Sequence, residues 1–242
     1  MRKRIKGYGG KSSVNYDWLL FDADGTLFDY DKAEAVSLEK AFIQTGHSFD
    51  PDYSQVYRQI NGQMWLDFEH GSISQDRLRI KRFELLLDAL DIKTDPEEFS
   101  NKYLENLADS TYLLEDAEEV VNRLAEKTGL MLITNGLKDV QRSRWGKSTI
   151  RRYFSDILIS EEIGAAKPDR RIFDEAFIRM NNPRKEKVLM VGDSLTSDIK
   201  GGCDYGIDTC WFNPLEKPPE LDLEIRFEIT HLRELLTIVK TS

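Results

Sequence analysis

Asp22 and Asp24 stand two residues apart in the stretch Phe21-Asp22-Ala23-Asp24-Gly25-Thr26, directly after the apolar run Trp18-Leu19-Leu20. A short apolar run of this kind reads as a buried strand. On an extended chain positions i and i+2 share a side, so both carboxylates leave the strand end together. Two like charges held close repel, unless a cation lies between them or they address a phosphate through a metal. Gly25 then lets the backbone turn sharply. The pair suits a nucleophilic carboxylate beside a second carboxyl group that moves protons. A solvated Asp-rich turn would look the same in isolation, so the other strand ends decide between the two.

Those ends can be located from hydrophobic periodicity. From Glu115 onward short apolar runs alternate with helical patterns. Strands are expected at 130–134, 156–159, 188–191, 209–212 and 226–229, and helices at 117–127, 139–153, 169–180, 197–205 and 231–239. The alternation predicts an α/β fold with a parallel sheet and helices on both faces. Ligands of such sheets bind beyond the carboxyl ends of the strands. Thr134-Asn135-Gly136 follows the second strand, Ser160 to Lys167-Pro168 the third, and Gly192-Asp193-Ser194, with Asp198 further on, the fourth. Taken singly, each has a plain explanation as a helix cap, a surface lysine or a turn aspartate. Their occurrence at consecutive strand ends points to one site.

Residues 30–113 interrupt this alternation and show helical patterns with little strand signal. The first runs from Ala33 to Gln44, with Val36, Leu38, Ala41, Phe42 and Ile43 on or near one face. Others span 53–68 and 75–90, and Asp95-Pro96 opens a fourth that ends near Asp109, with an N-cap and a first-turn proline. The expected organisation is a core of 16–29 and 114–242, an all-helical insertion of 30–113, and a flexible basic tail of 1–15.

The 242 residues suffice for a substantial core, and 40% hydrophobic with 32% charged is an ordinary globular composition. The net charge of −9, with no basic stripe in the body of the chain, speaks against a nucleic-acid polymer as partner. A small anionic substrate stays compatible, since local cations and a metal set the field inside a cleft. No apolar run reaches the length of a membrane span, and the basic N-terminus lacks the apolar segment of a secretory signal. Cys203 and Cys210 form neither a CxxC motif nor a disulfide framework, which fits a reducing, cytoplasmic setting.

The order DxDGT, Thr-Asn-Gly, Lys-Pro and Gly-Asp-Ser with a later Asp resembles the haloacid dehalogenase superfamily over almost all of residues 16–240. The helical insertion after the first strand resembles that superfamily's C1 cap, and the core is then a Rossmann-like parallel sheet. Ile60 to Ile73, Ile159 to Pro168 and Val188 to Asp193 look closer still to the pyrimidine 5′-nucleotidase branch, whose members remove phosphate from nucleoside monophosphates. The resemblance implies phosphoryl transfer through an aspartyl-phosphate. Uncatalysed hydrolysis of phosphate monoesters is so slow that accelerations up to about 10²¹-fold are required, and a carboxylate nucleophile divides the reaction into two easier steps.

Asp22 is the expected nucleophile. Asp24 is the expected general acid and base, starting protonated to serve the leaving oxygen. Oxygen-only ligands and a phosphate substrate make Mg²⁺ the expected metal. The resemblance implies the Asp22 carboxylate, the Asp24 backbone carbonyl and Asp193 as its ligands, with Asp198 beside them. Thr134 and the Asn135 amide would hold phosphate oxygens, and Lys167 would offset the charge of the transferring group. In the cap, Trp65 and Phe68 lie three residues apart on a predicted helix near Asn61. These three are candidates for contacting a base, although apolar residues at helical spacing equally serve as packing. His70 is expected on the surface.

The implied substrate is a small phosphorylated metabolite, most specifically a (deoxy)pyrimidine nucleoside monophosphate, handled by a monomer or homodimer. Phosphoglycolate or a small sugar phosphate, and a phosphomutase reaction, remain as alternatives. Asp24 and Asp193 argue against the metal-free dehalogenase branch, and the intact set of strand-end residues argues against a non-catalytic phosphate-binding regulator. The segment Gly146 to Arg152 departs from the family pattern, which places a small-residue and glycine turn nearer Thr149-Ile150.

Overall fold

The computed structural model describes residues 15–239. The basic segment 1–15 therefore lies, Asn15 aside, outside the described residues. Six strands form one parallel sheet: β1 Trp18–Phe21, β2 Gly129–Thr134, β3 Asp156–Ile159, β4 Val188–Gly192, β5 Asp208–Phe212 and β6 Phe227–Ile229, in the order β3-β2-β1-β4-β5-β6. The central strands are apolar at nearly every position because both faces are covered. Leu19, Phe21, Leu130, Leu132, Leu189 and Val191 face one layer, where Val120, Val121 and Leu124 of α5 (Ala117–Ala125) and Leu235 of α10 (Leu235–Ile238) pack. Leu20, Met131, Ile133 and Met190 alternate to the other, against Ile172, Phe173, Ala176 and Phe177 of α8 (Arg170–Arg179).

The strand order reverses at β1, whose neighbours β2 and β4 are reached by connections running in opposite directions along the sheet. A crevice opens at such a switch point, beyond the strand ends. Asp22 is the first residue past β1 and stands at that crevice.

The chain leaves the core immediately afterwards. Gly25 turns at φ +80°, and Leu27 N–H returns to Ala23 O. Residues entering and leaving the helical insertion run side by side. Asp29 N–H donates to Tyr112 O, Leu114 N–H donates to Leu27 O, and Phe28 bridges Leu113. Between them lie α1 Tyr30–Gln44, α2 Asp52–Glu69, α3 Gln75–Ala89 and α4 Pro96–Asp109. Asp29 and Asp95 cap α1 and α4 by accepting from Lys32 N–H and Glu97 N–H, and Pro96 opens α4 as the sequence predicts. Phe42, Tyr57, Phe83, Phe99 and Tyr103 fill the centre of this block as an aromatic cluster. Leu137, which precedes α6 (Lys138–Lys147), and Val140 within it pack into the same cluster and join it to the core.

Several expected elements differ in detail. Ile43, expected on or near the apolar face of α1, is 61% exposed, because the buried stripe runs through Ala33, Ser37, Leu38, Ala41 and Phe42 instead. The single helix expected over 139–153 is α6 followed by a separate 3₁₀ turn, Thr149–Tyr153. Ser148 takes an extended backbone (ψ 139°) between them, so that Trp145 and Ile150 both enter the core. The helix expected over 197–205 opens with a wide π turn, Leu195–Ile199, before α9 (Lys200–Tyr205). The helix expected over 231–239 is a 3₁₀ turn, Leu232–Glu234, running into α10. A short helix, α7 (Ser160–Ile163), sits unanticipated directly beyond β3.

Phe83 is fully buried and in ring contact with Tyr57, Phe99 and Tyr103. Phe83→Ala should destabilise the protein by about 3–5 kcal/mol, measurable by denaturant unfolding.

Candidate active site

The strand ends converge on Lys167. Its side chain is 1% exposed, and its Nζ donates to Asp22 Oδ1 at 2.5 Å and to Ile133 O at 2.7 Å and pairs with Asp198 Oδ1 at 2.8 Å. Burial works against the lysine charge, but Asp198 and Asp22 outweigh it and hold the ammonium above the usual lysine range. The backbone of Lys167 is fixed as well. The Asn135 side chain accepts from Lys167 N–H at 2.7 Å and donates to Lys167 O at 2.8 Å, tying the loop beyond β3 to the end of β2. The reading of Lys167 as a surface lysine is excluded, and so is that of Thr134 and Asn135 as caps of α6, whose N-cap is Leu137. The Thr134 hydroxyl, 2% exposed, accepts from Gly136 N–H instead.

Carboxylate oxygens of Asp22, Asp193 and Asp198 lie within 4.8 Å of one another. Burial raises the Asp22 carboxyl well above its usual range; Lys167 opposes this, while Asp198 and Asp193 add to it. Asp193 opens onto the cleft but stands at its floor, and lost solvation together with the Asp198 charge pushes it up to about 7. Thr26 Oγ1 donates to Asp193 Oδ1 at 3.3 Å, and Trp211 Nε1 holds the Asp193 carbonyl at 2.9 Å. Asp198 accepts Ser194 N–H at 3.1 Å. Two glycines make room for these acids. A Cβ on Gly25 would lie 2.7 Å from Asp193 Oδ2, and one on Gly192 would lie 2.2 Å from Asp198 Oδ2. One lysine set against this acid cluster leaves an excess of negative charge on oxygen donors alone, a donor set that fits a hard divalent cation such as Mg²⁺.

Asp24, half-buried, is engaged on both oxygens. Arg144 Nη1 donates to Oδ1 at 2.5 Å and Gln141 Nε2 to Oδ2 at 2.6 Å. Both Asp24 oxygens therefore act as acceptors in this pose. Arg144 is fully buried, lies over the Phe28 ring and donates from Nε to Ser110 O, where α4 ends and the chain leaves the insertion.

A cavity of about 290 Å³ gathers most of the predicted residues: Asp22, Asp24, Thr134, Asn135, Lys167, Asp193 and Asp198 from the core, with Tyr30, Asn61, Trp65 and Glu69 from the helical insertion. Trp65 is half-buried and belongs to the cavity wall rather than to the insertion's aromatic core. Phe68 does not reach this cavity. It meets Trp65 edge-on at 5.7 Å and lines an adjoining cavity of about 800 Å³. Asn61 is buried, with Nδ2 donating to Tyr30 Oη and Glu34 Oε2 and Oδ1 accepting from Arg82. Both its N–H donors are used, which leaves only acceptor capacity toward the cavity. His70 is exposed, as expected.

Sequence reasoning missed Gln141, Arg144, Trp211 and Glu69. The first two stand three apart on α6 and so share a face, a spacing that equally describes a solvated surface. Glu69 lies within the segment resembling nucleotidases and was the one with a usable signal.

A carboxylate pair beyond β1, a buried lysine from the loop after β3 and further acids beyond β4, on a parallel sheet with a helical insertion after its first strand, define a hydrolase of phosphoryl or related groups. Residues 16–205 match the haloacid dehalogenase-like hydrolase family, and the chain belongs to it. It is 32% identical to pyrimidine 5′-nucleotidase YjjG of Escherichia coli, covering 92% of this chain and 97% of that one. Pyrimidine 5′-nucleotidase PynA of Streptococcus pneumoniae is 33% identical, covering 91% and 94%. The crystal structure of the HAD-hydrolase YfnB of Bacillus subtilis, bound to magnesium, matches with a TM-score of 0.89 at 34% identity, covering 94% of this chain and 100% of that one. No helix among the described residues is long and apolar enough to cross a membrane.

The acid cluster has a signature in stability. Asp193 has an unfolded value of 3.8 and a folded value of about 7, so between these limits the folded state binds more protons and stability falls as pH rises. In EDTA, Asp193→Asn should remove this loss, and the gain in its unfolding temperature over the wild type should grow across that window. Added Mg²⁺ should raise the wild-type midpoint and leave that of the variant nearly unmoved; equal responses would exclude Asp193 as a ligand.

Proposed function

We propose that this chain is a Mg²⁺-dependent phosphomonoester hydrolase that acts through an aspartyl-phosphate, and that its substrates are (deoxy)pyrimidine nucleoside 5′-monophosphates. The observation that carries the reaction class is Asp22 held by buried Lys167 in one cavity with Asp24 and Asp193. The similarity to two pyrimidine 5′-nucleotidases supports the substrate class.

Asp22, Asp193 and the Asp24 backbone carbonyl would hold the metal, which when bound neutralises phosphate charge and orients the ester. Lys167 fixes Asp22 Oδ1, which leaves Oδ2 to attack phosphorus in line. The bond from phosphorus to the ester oxygen breaks, and Asp24 delivers a proton to the departing alcohol. Thr134 and the Asn135 N–H hold non-bridging phosphate oxygens. A water molecule then gives its proton to Asp24 and attacks phosphorus, releasing phosphate and restoring the Asp22 carboxylate. Asp198 keeps Lys167 charged and aimed throughout.

The insertion formed by residues 30–113 acts as the cap. Trp65 offers a ring face to a base, braced edge-on by Phe68, and Asn61 offers an acceptor held in place by Arg82.

Phosphate release from dUMP, dTMP, UMP, AMP, phosphoglycolate and glucose phosphates tests the reading. Pyrimidine monophosphates should be preferred and EDTA should abolish turnover. Asp22→Asn should lower kcat by about 10⁴-fold or more, and Lys167→Met by about 10²–10³-fold. Preference for phosphoglycolate or a sugar phosphate would keep the chemistry and overturn the substrate class. Trp65→Ala should lower kcat/KM for nucleotides by about tenfold, and more than for small esters; an equal loss on both would remove Trp65 from base recognition.

A further inference from the structure

A larger cavity adjoins that of the site on the side of α2, and Glu69 and Lys167 line both. The smaller contains the reacting groups. The larger lies between the end of α2 and the loop beyond β3, and a leaving group attached to a phosphate over Asp22 has room to extend past Glu69 into it. Glu69 is the last residue of α2, one helical turn beyond Trp65 and therefore on the same face. Thr196 Oγ1 donates to its Oε2 at 2.8 Å, which fixes the carboxylate against the turn after β4. That bond occupies Oε2 alone and leaves Oε1 as an acceptor.

The charge of Glu69 is only weakly compensated: Lys167 and His70 favour it from a distance, while burial and the Asp198 charge push its carboxyl above the usual range. Lys167 is committed to Asp22, Asp198 and Ile133 O, and no ion pair to Glu69 forms among the described residues. Other cations lining the larger cavity are also paired, Arg171 with Asp169 and Lys200 with Asp204. A substrate carrying a second anionic group would bring it past a fixed carboxylate toward a cavity with no unpaired cation to receive it. A hydroxyl or imide N–H passing the same point finds an acceptor.

We propose that Glu69 is a specificity-determining residue: it admits phosphomonoesters whose leaving group carries neutral hydrogen-bond donors and rejects those whose leaving group carries a carboxylate or a second phosphate. The inference rests on the phosphomonoesterase reading and deepens it. Like-charge rejection of the wrong ligand is a common route to selectivity, and it is strong where water is partly excluded.

The experiment compares glycerol 3-phosphate with 3-phosphoglycerate, esters that differ at the far carbon by a neutral alcohol against a carboxylate. The ratio of their kcat/KM values is measured for the wild type, Glu69→Gln and Thr196→Val. Their binding is also measured calorimetrically on Asp22→Asn, with and without Glu69→Gln. Glu69→Gln should cut the preference for the neutral ester by about tenfold or more, through a gain on 3-phosphoglycerate. Thr196→Val keeps the charge and should preserve the preference. Equal effects of Glu69→Gln on both esters would overturn the inference. So would a parallel change in the two variants, which would make the Glu69–Thr196 contact a simple latch. If neither ester nor any nucleotide is turned over, the phosphomonoesterase reading fails separately, and the binding ratio still decides the role of Glu69.

Discussion

A single buried ammonium organises this molecule. Lys167 is held by Asp22, Asp198 and the Ile133 carbonyl, so the ends of β1, β2 and β4 and the loop beyond β3 must all arrive together for its charge to be tolerated. Removing one partner of such a cluster leaves an uncompensated buried charge, which costs about 3–5 kcal/mol. The same cluster carries more negative charge than one lysine balances. That excess is what burial converts into raised carboxyl values at Asp22 and Asp193, and it leaves a set of oxygen donors that fits a divalent cation.

The sheet supplies the geometry for this cluster and the helical insertion supplies its surroundings. The strand order reverses at β1, which puts Asp22 at the crevice, and the insertion departs within a few residues of it. Arg144 links the two parts. It contacts the Asp24 carboxylate, the Phe28 ring at the entry to the insertion and the Ser110 carbonyl at its exit. Gln75 Nε2 reaches the Asn135 carbonyl, and Glu69 reaches Thr196. The insertion thus touches the core at the same strand ends that gather the acid cluster and Lys167.

Much of this was legible in the residues. Periodicity locates strands, strands locate their carboxyl ends, and Asp22, Thr134, Lys167 and Asp193 all lie just beyond such ends. The helical contributions were harder to read. Gln141 and Arg144 sit on a helix where polar residues usually meet water, and only tertiary packing reveals that both are buried. Trp65 and Phe68 have the spacing of packing residues, and the spacing is the same whether a helix face meets a core or a cleft. The break at Ser148 has no glycine or proline to announce it; the core's demand for both Trp145 and Ile150 imposes it.

In the proposed reaction the Asp22 carboxylate becomes phosphorylated during turnover. Rapid acid quench of the enzyme with a substrate, followed by borohydride reduction and peptide mapping, tests it directly. Residue 22, and no other aspartate, should be converted to homoserine at the quench times when product forms. Steady turnover with residue 22 unmodified at every quench time would contradict it.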